Sequence, residues 1–192
     1  MGQYWHLVNI DSRENLGHMG KLGEAFWCNL TDVMELLAGS WAGCRIMCIG
    51  DYAEGCPLNV LTSEEVAEIN RSTFYSFTCR YKEIRSTKWV DLRGKVLRNL
   101  TRHVYVRRDV VIEELKRNRN GHPGDIGNIM LTNVCWSTDS DCTMMVDLSQ
   151  GGWAGDRFDV VPLSSVEDSG EEWEDVTEDQ IKLTRFALRE MS

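Results

Sequence analysis

The feature that most constrains this chain is an eleven-residue pattern written twice. Gly39-Ser-Trp41-Ala-Gly-Cys-Arg45-Ile-Met-Cys-Ile49 returns as Gly151-Gly-Trp153-Ala-Gly-Asp-Arg157-Phe-Asp-Val-Val161, with five positions identical and apolar residues after the arginine both times. Two further matches keep the same order: Leu7-Val-Asn9-Ile-Asp against Leu97-Arg-Asn99-Leu-Thr, and Gly20-Lys-Leu-Gly23 against Gly124-Asp-Ile-Gly127. Ordered self-similarity marks a supersecondary unit used more than once. Each half reads as a strand with Asn, a turn, Gly-x-aliphatic-Gly, a variable segment, and a strand entered through Trp-Ala-Gly-x-Arg. The separation differs, 32 residues from Asn9 to Trp41 and 54 from Asn99 to Trp153, which assigns the divergence to loops. The expectation is an α+β fold, two diverged pseudo-repeats of a strand–helix–strand unit packed as one compact domain over 1–192. Pseudo-repeat one falls at about 1–60, a helical and basic connection at about 61–95, pseudo-repeat two at about 96–165, and an acidic linker with a C-terminal helix at about 166–192.

Local patterning fills in the elements. Tyr4 to Ile10, rich in aromatic and branched residues, predicts a buried strand. Leu22, Ala25, Phe26, Leu30, Val33, Met34 and Leu37 fall at helical spacing and predict one helix that stops at Gly39 as its C′ residue. Arg45 to Ile49 and Phe158 to Val161 read as short strands, the second halted by Pro162. Thr62 with Glu65, and Thr177 with Gln180, have capping-box spacing and open two helices, the latter running to Glu190. Trp89 to Leu100 and Val104 to Val106 predict strands joined at Asn99-Leu-Thr-Arg102, and Asp109 to Asn118 a short helix. Phe74 to Ile84 and Ile126 to Val134 suit helix and strand equally.

Composition sets the class. Hydrophobic residues make up 42% of 192, enough for a real core. The seven cysteines are odd in number and none has C-x-x-C spacing, which points to reduced thiols in a reducing compartment. The N-terminus lacks a basic region and an apolar h-region, and no apolar run reaches the roughly 20 residues of a membrane span. The expected setting is therefore soluble and cytoplasmic, with no membrane partner. Net charge is −9 but uneven: Arg71 to Arg119 holds fourteen Lys/Arg against five Asp/Glu, while Glu167 to Asp179 holds eight acids and no base. That split leaves open a nucleic-acid partner for the basic stretch, an internal pairing of acidic tail with basic middle, and a solvated surface of mixed sign.

At several of these residues the chain resembles a family of fungal proteins, best represented in mushrooms, with no established activity. The resemblance rests on Met1 to Asp11, on Gly20 to Glu24, and on Trp41 to Ile46 followed by Gly50-Asp-Tyr52. The family pattern Trp-Ala-Gly-Asp-Arg is kept at Asp156 and replaced by Cys44 in the first copy. Some members of that family resemble F-box proteins before the Trp-Ala-Gly strand; this chain has only a short helix there, so ubiquitin-ligase adaptor function does not carry over.

No catalytic motif stands out. The four histidines lack metal-ligand spacing, so no metal and no cofactor is expected. Asp139, Asp141 and Asp147 lack the glycine and terminal Glu of a calcium loop. Gly20-x-x-Gly23 and Gly124-x-x-Gly127 lack the Gly-Lys-Ser/Thr of a phosphate loop. An arginine at the mouth of a buried strand offers a planar fork of donors, so Trp41, Arg45, Asp51, Trp153, Asp156 and Arg157 are the candidate ligand-binding residues. Three readings follow: a binding or interaction protein; a small-molecule hydrolase or transferase with its pocket between the repeats; and nucleic-acid binding through 71–119, where Tyr81, Trp89 and Tyr105 lie among the charges.

Overall fold

A computed structural model describes residues 3–27, 30–57, 59–69, 72–86, 88–115, 124–138 and 150–190. Its strands are β1 (Trp5–Asn9), β2 (Glu14–Asn15), β3 (Cys44–Gly50), β4 (Lys82–Glu83), β5 (Lys95–Asn99), β6 (Val104–Arg107), β7 (Cys135–Trp136), β8 (Arg157–Pro162) and β9 (Glu174–Asp175). Its helices are α1 (Leu22–Trp27), α2 (Thr31–Leu37), α3 (Ser63–Ile69), α4 (Phe74–Thr78), α5 (Arg108–Leu115), α6 (Ile126–Val134), α7 (Ser164–Glu167) and α8 (Thr177–Glu190). Helices and strands are mixed along the chain, so the class is α+β. One sheet runs β4-β2-β1-β3-β8-β5-β6-β9, with β7 added to β3.

The registers of the two sides of this sheet correspond. β1 lies antiparallel to β3 with Asn9 opposite Ile46, and β5 antiparallel to β8 with Asn99 opposite Phe158. β2 folds back on β1 with Glu14 opposite Asn9, as β6 folds on β5 with Val104 opposite Asn99. β4 joins β2 in parallel, and β9 joins β6 in parallel. Each β1–β2 or β5–β6 turn passes through a left-handed residue, Arg13 at φ 53° and His103 at φ 54°. In each, an Asn side chain takes the amide three residues on: Ser12 N–H donates to Asn9 Oδ1 at 3.0 Å and Arg102 N–H to Asn99 Oδ1 at 3.1 Å. Asx turns of this kind let a polar residue sit at a strand end without an orphaned amide. At the centre β3 and β8 meet antiparallel, with Arg45 opposite Arg157.

Side-chain alternation sorts the two faces of the sheet. Leu7, Ile46, Cys48, Leu97, Phe158 and Val160 belong to one buried cluster that also takes in residues of α1, α2, α5, α6 and α8. Every residue of α6 is buried, beneath Asp125, whose side chain accepts from the Ile126 amide at 2.7 Å. On the other face Val8, Ile10, Met47 and Ile49 pack under Phe74, Phe77 and Tyr81. Full burial of such side chains contributes about 1.5–3 kcal/mol each, far more than an exposed ion pair, so apolar alternation decides the fold. The matching positions of the second half, Arg98 and Asp159, are instead an ion pair at 2.6 Å, with Arg98 over the Trp173 ring at 4.9 Å.

Three sequence expectations need correction. The helix read from Leu22 to Leu37 is two helices, because Asn128 Nδ2 of α6 takes the Phe26 carbonyl at 2.9 Å at the end of α1. Gly39 holds the C′ position after the Ala38 cap, as expected, but without the left-handed backbone that favours glycine there. The strand read from Trp89 is only Lys95–Asn99. The second capping box is absent: Gln180 Oε1 accepts from Asn133 Nδ2 at 2.7 Å, while the Thr177 hydroxyl takes the Arg107 amide at 2.9 Å. Phe74 to Ile84 resolves into α4 and then β4, and Ile126 to Val134 into helix. The polar segment holding Asp139, Asp141 and Asp147 lies outside the described residues, as do Arg71, Lys116, Arg117 and Arg119.

Candidate functional site

Both Trp-Ala-Gly segments are turns that feed a central strand. Ala42 N–H bonds the Gly39 carbonyl at 3.2 Å and Cys44 N–H the Trp41 carbonyl at 3.0 Å; Ala154 to Gly151 at 3.1 Å and Asp156 to Trp153 at 3.0 Å repeat the geometry. Gly43 and Gly155, at φ 77° and 82°, then send their amides across the centre, to Phe158 O at 2.8 Å and Ile46 O at 2.9 Å respectively. Such φ values favour glycine, which lacks the Cβ clash. Trp41 is fully buried, with Nε1 donating to Glu14 Oε2 at 2.8 Å. Trp153 packs on Phe158, ring centroids 6.1 Å apart. Neither indole offers a face to a ligand.

Asp11, from the turn after β1, links the two arginines. It accepts from Arg45 N–H at 2.8 Å and Arg45 Nε at 2.7 Å, and from Arg157 Nη1 at 3.0 Å. Burial alone would raise the Asp11 carboxyl, but hydrogen bonds from Arg45 and the charges of both guanidinium groups hold it below the usual carboxylate range. Arg45 is completed by Glu65 of α3, at 3.1 Å from Nη2, and by the Val60 carbonyl. Arg157 is more open, its side chain 48% exposed, and it donates also to Gly43 O at 2.8 Å. Asp156 accepts from Asn99 Nδ2 at 2.8 Å and Arg102 Nε at 2.6 Å. Asp51 stands beyond the opposite end of β3, accepting the Tyr4 amide at 3.2 Å. The expected set thus divides: Arg45 and Arg157 meet through Asp11, Asp156 bonds Asn99 and Arg102, the tryptophans are core, and Asp51 lies apart.

Six arginines of the basic stretch have carboxylate partners within the fold. Arg85, Arg93, Arg98, Arg102, Arg107 and Arg108 each lie within ion-pair distance of a carboxylate, and Arg80 lies over the Phe77 ring. Tyr81 is buried, whereas Trp89 is 80% exposed. The acidic tail reaches this stretch through β9, whose Glu174 and Asp175 pair with Val104 and Tyr105.

Spatial proximity also brings together groups that no sequence spacing marks. His6 Nε2 lies 2.7 Å from Thr78 Oγ1 and His6 Nδ1 lies 3.7 Å from Cys79 Sγ. The Thr78 hydroxyl donates to the Phe74 and Tyr75 carbonyls, each at 3.1 Å, so it accepts from Nε2–H and leaves Nδ1 to accept from the thiol. Burial, helped by the nearby His18, lowers His6 to about 4, and burial pushes the Cys79 thiol up. Both groups are neutral at physiological pH, and a thiol without thiolate character is a poor nucleophile. The arrangement is a hydrogen-bond chain tying β1 to α4.

A solvent-open groove of about 580 Å³ lies between the loop at 54–56, α3 and the start of α4, lined by Glu54, Gly55, Cys56, Val66, Ile69, Ser72 and Thr73. α3 buries none of its residues. It is held by its capping box, Glu65 N–H to Thr62 Oγ1 at 3.2 Å and Thr62 N–H to Glu65 Oε2 at 2.8 Å, and by the pairs Glu65–Arg45 and Glu68–Arg13. Val66 on this helix is half-exposed. Among the described residues no cluster of three or more His, Cys, Asp or Glu could hold a metal ion, and no helix is long and apolar enough to cross a membrane. Comparison with family models, with curated proteins and with solved structures finds no match for the chain.

Proposed function

We propose that the protein is a non-enzymatic binding protein in which two diverged copies of one unit form a rigid scaffold and the groove beside α3 receives the ligand. The observation that carries this reading is the engagement of both motif arginines by Asp11 and backbone carbonyls, which leaves them a structural task. A hydrolase or transferase using Arg45 and Arg157 would need those forks turned toward substrate. Six arginines of 71–119 already meet carboxylates within the fold, which weighs against nucleic-acid binding there. Descent from one unit is supported by the corresponding registers, the paired left-handed turns and the reciprocal glycine amides. In this reading each copy continues to β4 or β9, past the bounds near 60 and 165 drawn from sequence. Kinship with the mushroom family belongs to the same reading, as does a cytosolic setting, in keeping with five free cysteines among the described residues.

The occupant of the groove is a basic segment of a partner protein with an apolar anchor. Cys56, Val66 and Ile69 supply apolar lining, while Glu54 stands exposed in it on a chain of net charge −9. Apolar anchors give affinity, and charge complementarity gives orientation and on-rate. Fluorescence anisotropy with labelled peptides alternating Leu with Lys or Arg, against the same peptides with Glu, is the test. Micromolar binding of the basic set, lost in Val66→Arg, supports the reading; equal binding of both sets, or binding untouched by Val66→Arg, overturns it.

A further inference from the structure

Asn99 in the second half uses its whole side chain. Its Oδ1 accepts from the Thr101 and Arg102 amides, and its Nδ2 donates to Asp156 Oδ2 at 2.8 Å. Asn9 holds the same register in the first half, opposite Ile46 as Asn99 is opposite Phe158, and its Oδ1 likewise accepts the amide three residues on. In the second half the acceptor of this amide sits two residues before the strand partner, and the register gives the first half an equivalent residue there. That residue is Cys44, where the second half has Asp156. Asn9 is fully buried, and its Nδ2 has no hydrogen-bond partner. Cys44 is half-buried, its thiol 4.0 Å from the Ala42 carbonyl. Ser12 stands where the second half has Arg102, and its hydroxyl turns to Glu14 Oε2 at 3.0 Å. The first half therefore lacks both the carboxylate and the guanidinium while keeping the buried amide donor. A buried donor without an acceptor is rare in folded proteins and asks for a missing group.

We propose that Cys44 is an oxidation site whose sulfinate takes the place held by the Asp156 carboxylate in the second half and accepts the hydrogen bond of Asn9 Nδ2. The oxidant class is a peroxide. The Cys44 thiol gives up its proton and its thiolate attacks one peroxide oxygen; an S–O bond forms as the O–O bond breaks, sulfur is oxidised, and the departing hydroxide takes up that proton and leaves as water. The resulting sulfenic acid repeats the step with a second peroxide, giving sulfinic acid and a second water, and the acid proton passes to solvent. A sulfinate on one methylene presents the same two-oxygen anionic fork as an aspartate, so the neutral amide gains a charge-assisted acceptor. Cys48 and Cys135 are fully buried and shielded from peroxide. Oxidation at Cys44 stabilises the fold, the reverse of ordinary oxidative damage. The inference rests on the corresponding geometry of the halves and is independent of what the groove binds.

The test uses the full chain with Cys28, Cys56, Cys79 and Cys142 replaced by serine, treated with hydrogen peroxide. Peptide mass mapping reads two added oxygens on Cys44, and urea titration reads stability. The sulfinate form and the untreated Cys44→Asp variant should each lower the unfolding equilibrium constant about five- to tenfold relative to the reduced protein, the effect of one hydrogen bond gained by a buried donor. In both, the Asn9 side-chain amide protons should move downfield and exchange more slowly. A dioxidised protein no more stable than the reduced one overturns the proposal. So does a Cys44→Asp gain that survives Asn9→Asp, which keeps the Oδ1 acceptor and removes the amide. If the serine background does not fold, Cys44→Asp in the otherwise native chain decides by the same amide resonances: unmoved signals reject the site.

Discussion

His6 and Asp11 show how far residue identity carries and where it stops. The arginines of the repeated motif attract attention because a planar donor fork needs a partner. The partner, Asp11, was visible as one of two charged mismatches, with Arg98, between Leu7-Val-Asn9-Ile-Asp11 and Leu97-Arg-Asn99-Leu-Thr101. The difference is functional within the fold: Thr101 Oγ1 takes the Arg157 amide as Asp11 takes the Arg45 amide, but only the carboxylate can also bind two guanidinium groups. His6 carries no such mark, because its neighbours Thr78 and Cys79 lie more than seventy residues away. Its titration has a definite sign. Folding lowers its pKa from 6.5 to about 4, so the unfolded chain takes up a proton first. The neutral histidine's contribution is complete above pH 6.5 and is lost as pH falls from there toward 4. Urea unfolding at pH 7 and pH 4.5 should show a loss of about 2–3 kcal/mol assignable to His6. In His6→Gln, which retains a donor toward Thr78, that part of the slope should vanish; an unchanged slope would place the titration elsewhere.

Elements were legible where local chemistry decides them and illegible where another element does. The Thr62–Glu65 capping box is present as its spacing predicts, because a cap is satisfied within four residues. The continuous helix expected from Leu22 to Leu37 fails for a tertiary reason, the Asn128 amide at the end of α1 and the close approach of Gly127, where a Cβ would lie 2.6 Å from Leu30 Cβ. α3 is the case that bears on function. With no fully buried residue, its attachment depends on Ile69 packing against the second cluster, on its cap and on Glu65 meeting Arg45, since the exposed Glu68–Arg13 pair contributes little. Glu65→Ala removes both the reciprocal cap and the ion pair. Hydrogen exchange of the α3 amides should accelerate about tenfold or more, while global stability falls by about 1 kcal/mol. Equal acceleration in α6 would show that α3 is integral to the core instead of an appended edge of the groove.

At the scale of the molecule the repeated motif marks the entries to β3 and β8, yet not how those strands would join. The joint depends on where two glycines leave room. Gly43 and Gly155 perform the same backbone act, but a Cβ on Gly43 would meet nothing nearer than Leu100 Cδ1 at 4.0 Å, while one on Gly155 would meet Val60 Cγ2 at 2.4 Å. Gly43→Ala therefore carries only left-handed strain, about 1 kcal/mol. Gly155→Ala adds overpacking against a buried valine, for about 3 kcal/mol in total. Whether that loss is local or global follows from the core. β7, from the second half, pairs in parallel with β3 of the first, and residues of α6 share one buried cluster with Leu7, Trp41, Leu97 and Phe158. Neither half can open without exposing that cluster, so unfolding is a single transition. Tryptophan fluorescence and far-ultraviolet circular dichroism should give coincident urea curves in the wild type, and Gly155→Ala should move both by the same amount. Separation of the two curves in Gly155→Ala would mean that the halves are independent units held by the β3–β8 seam alone.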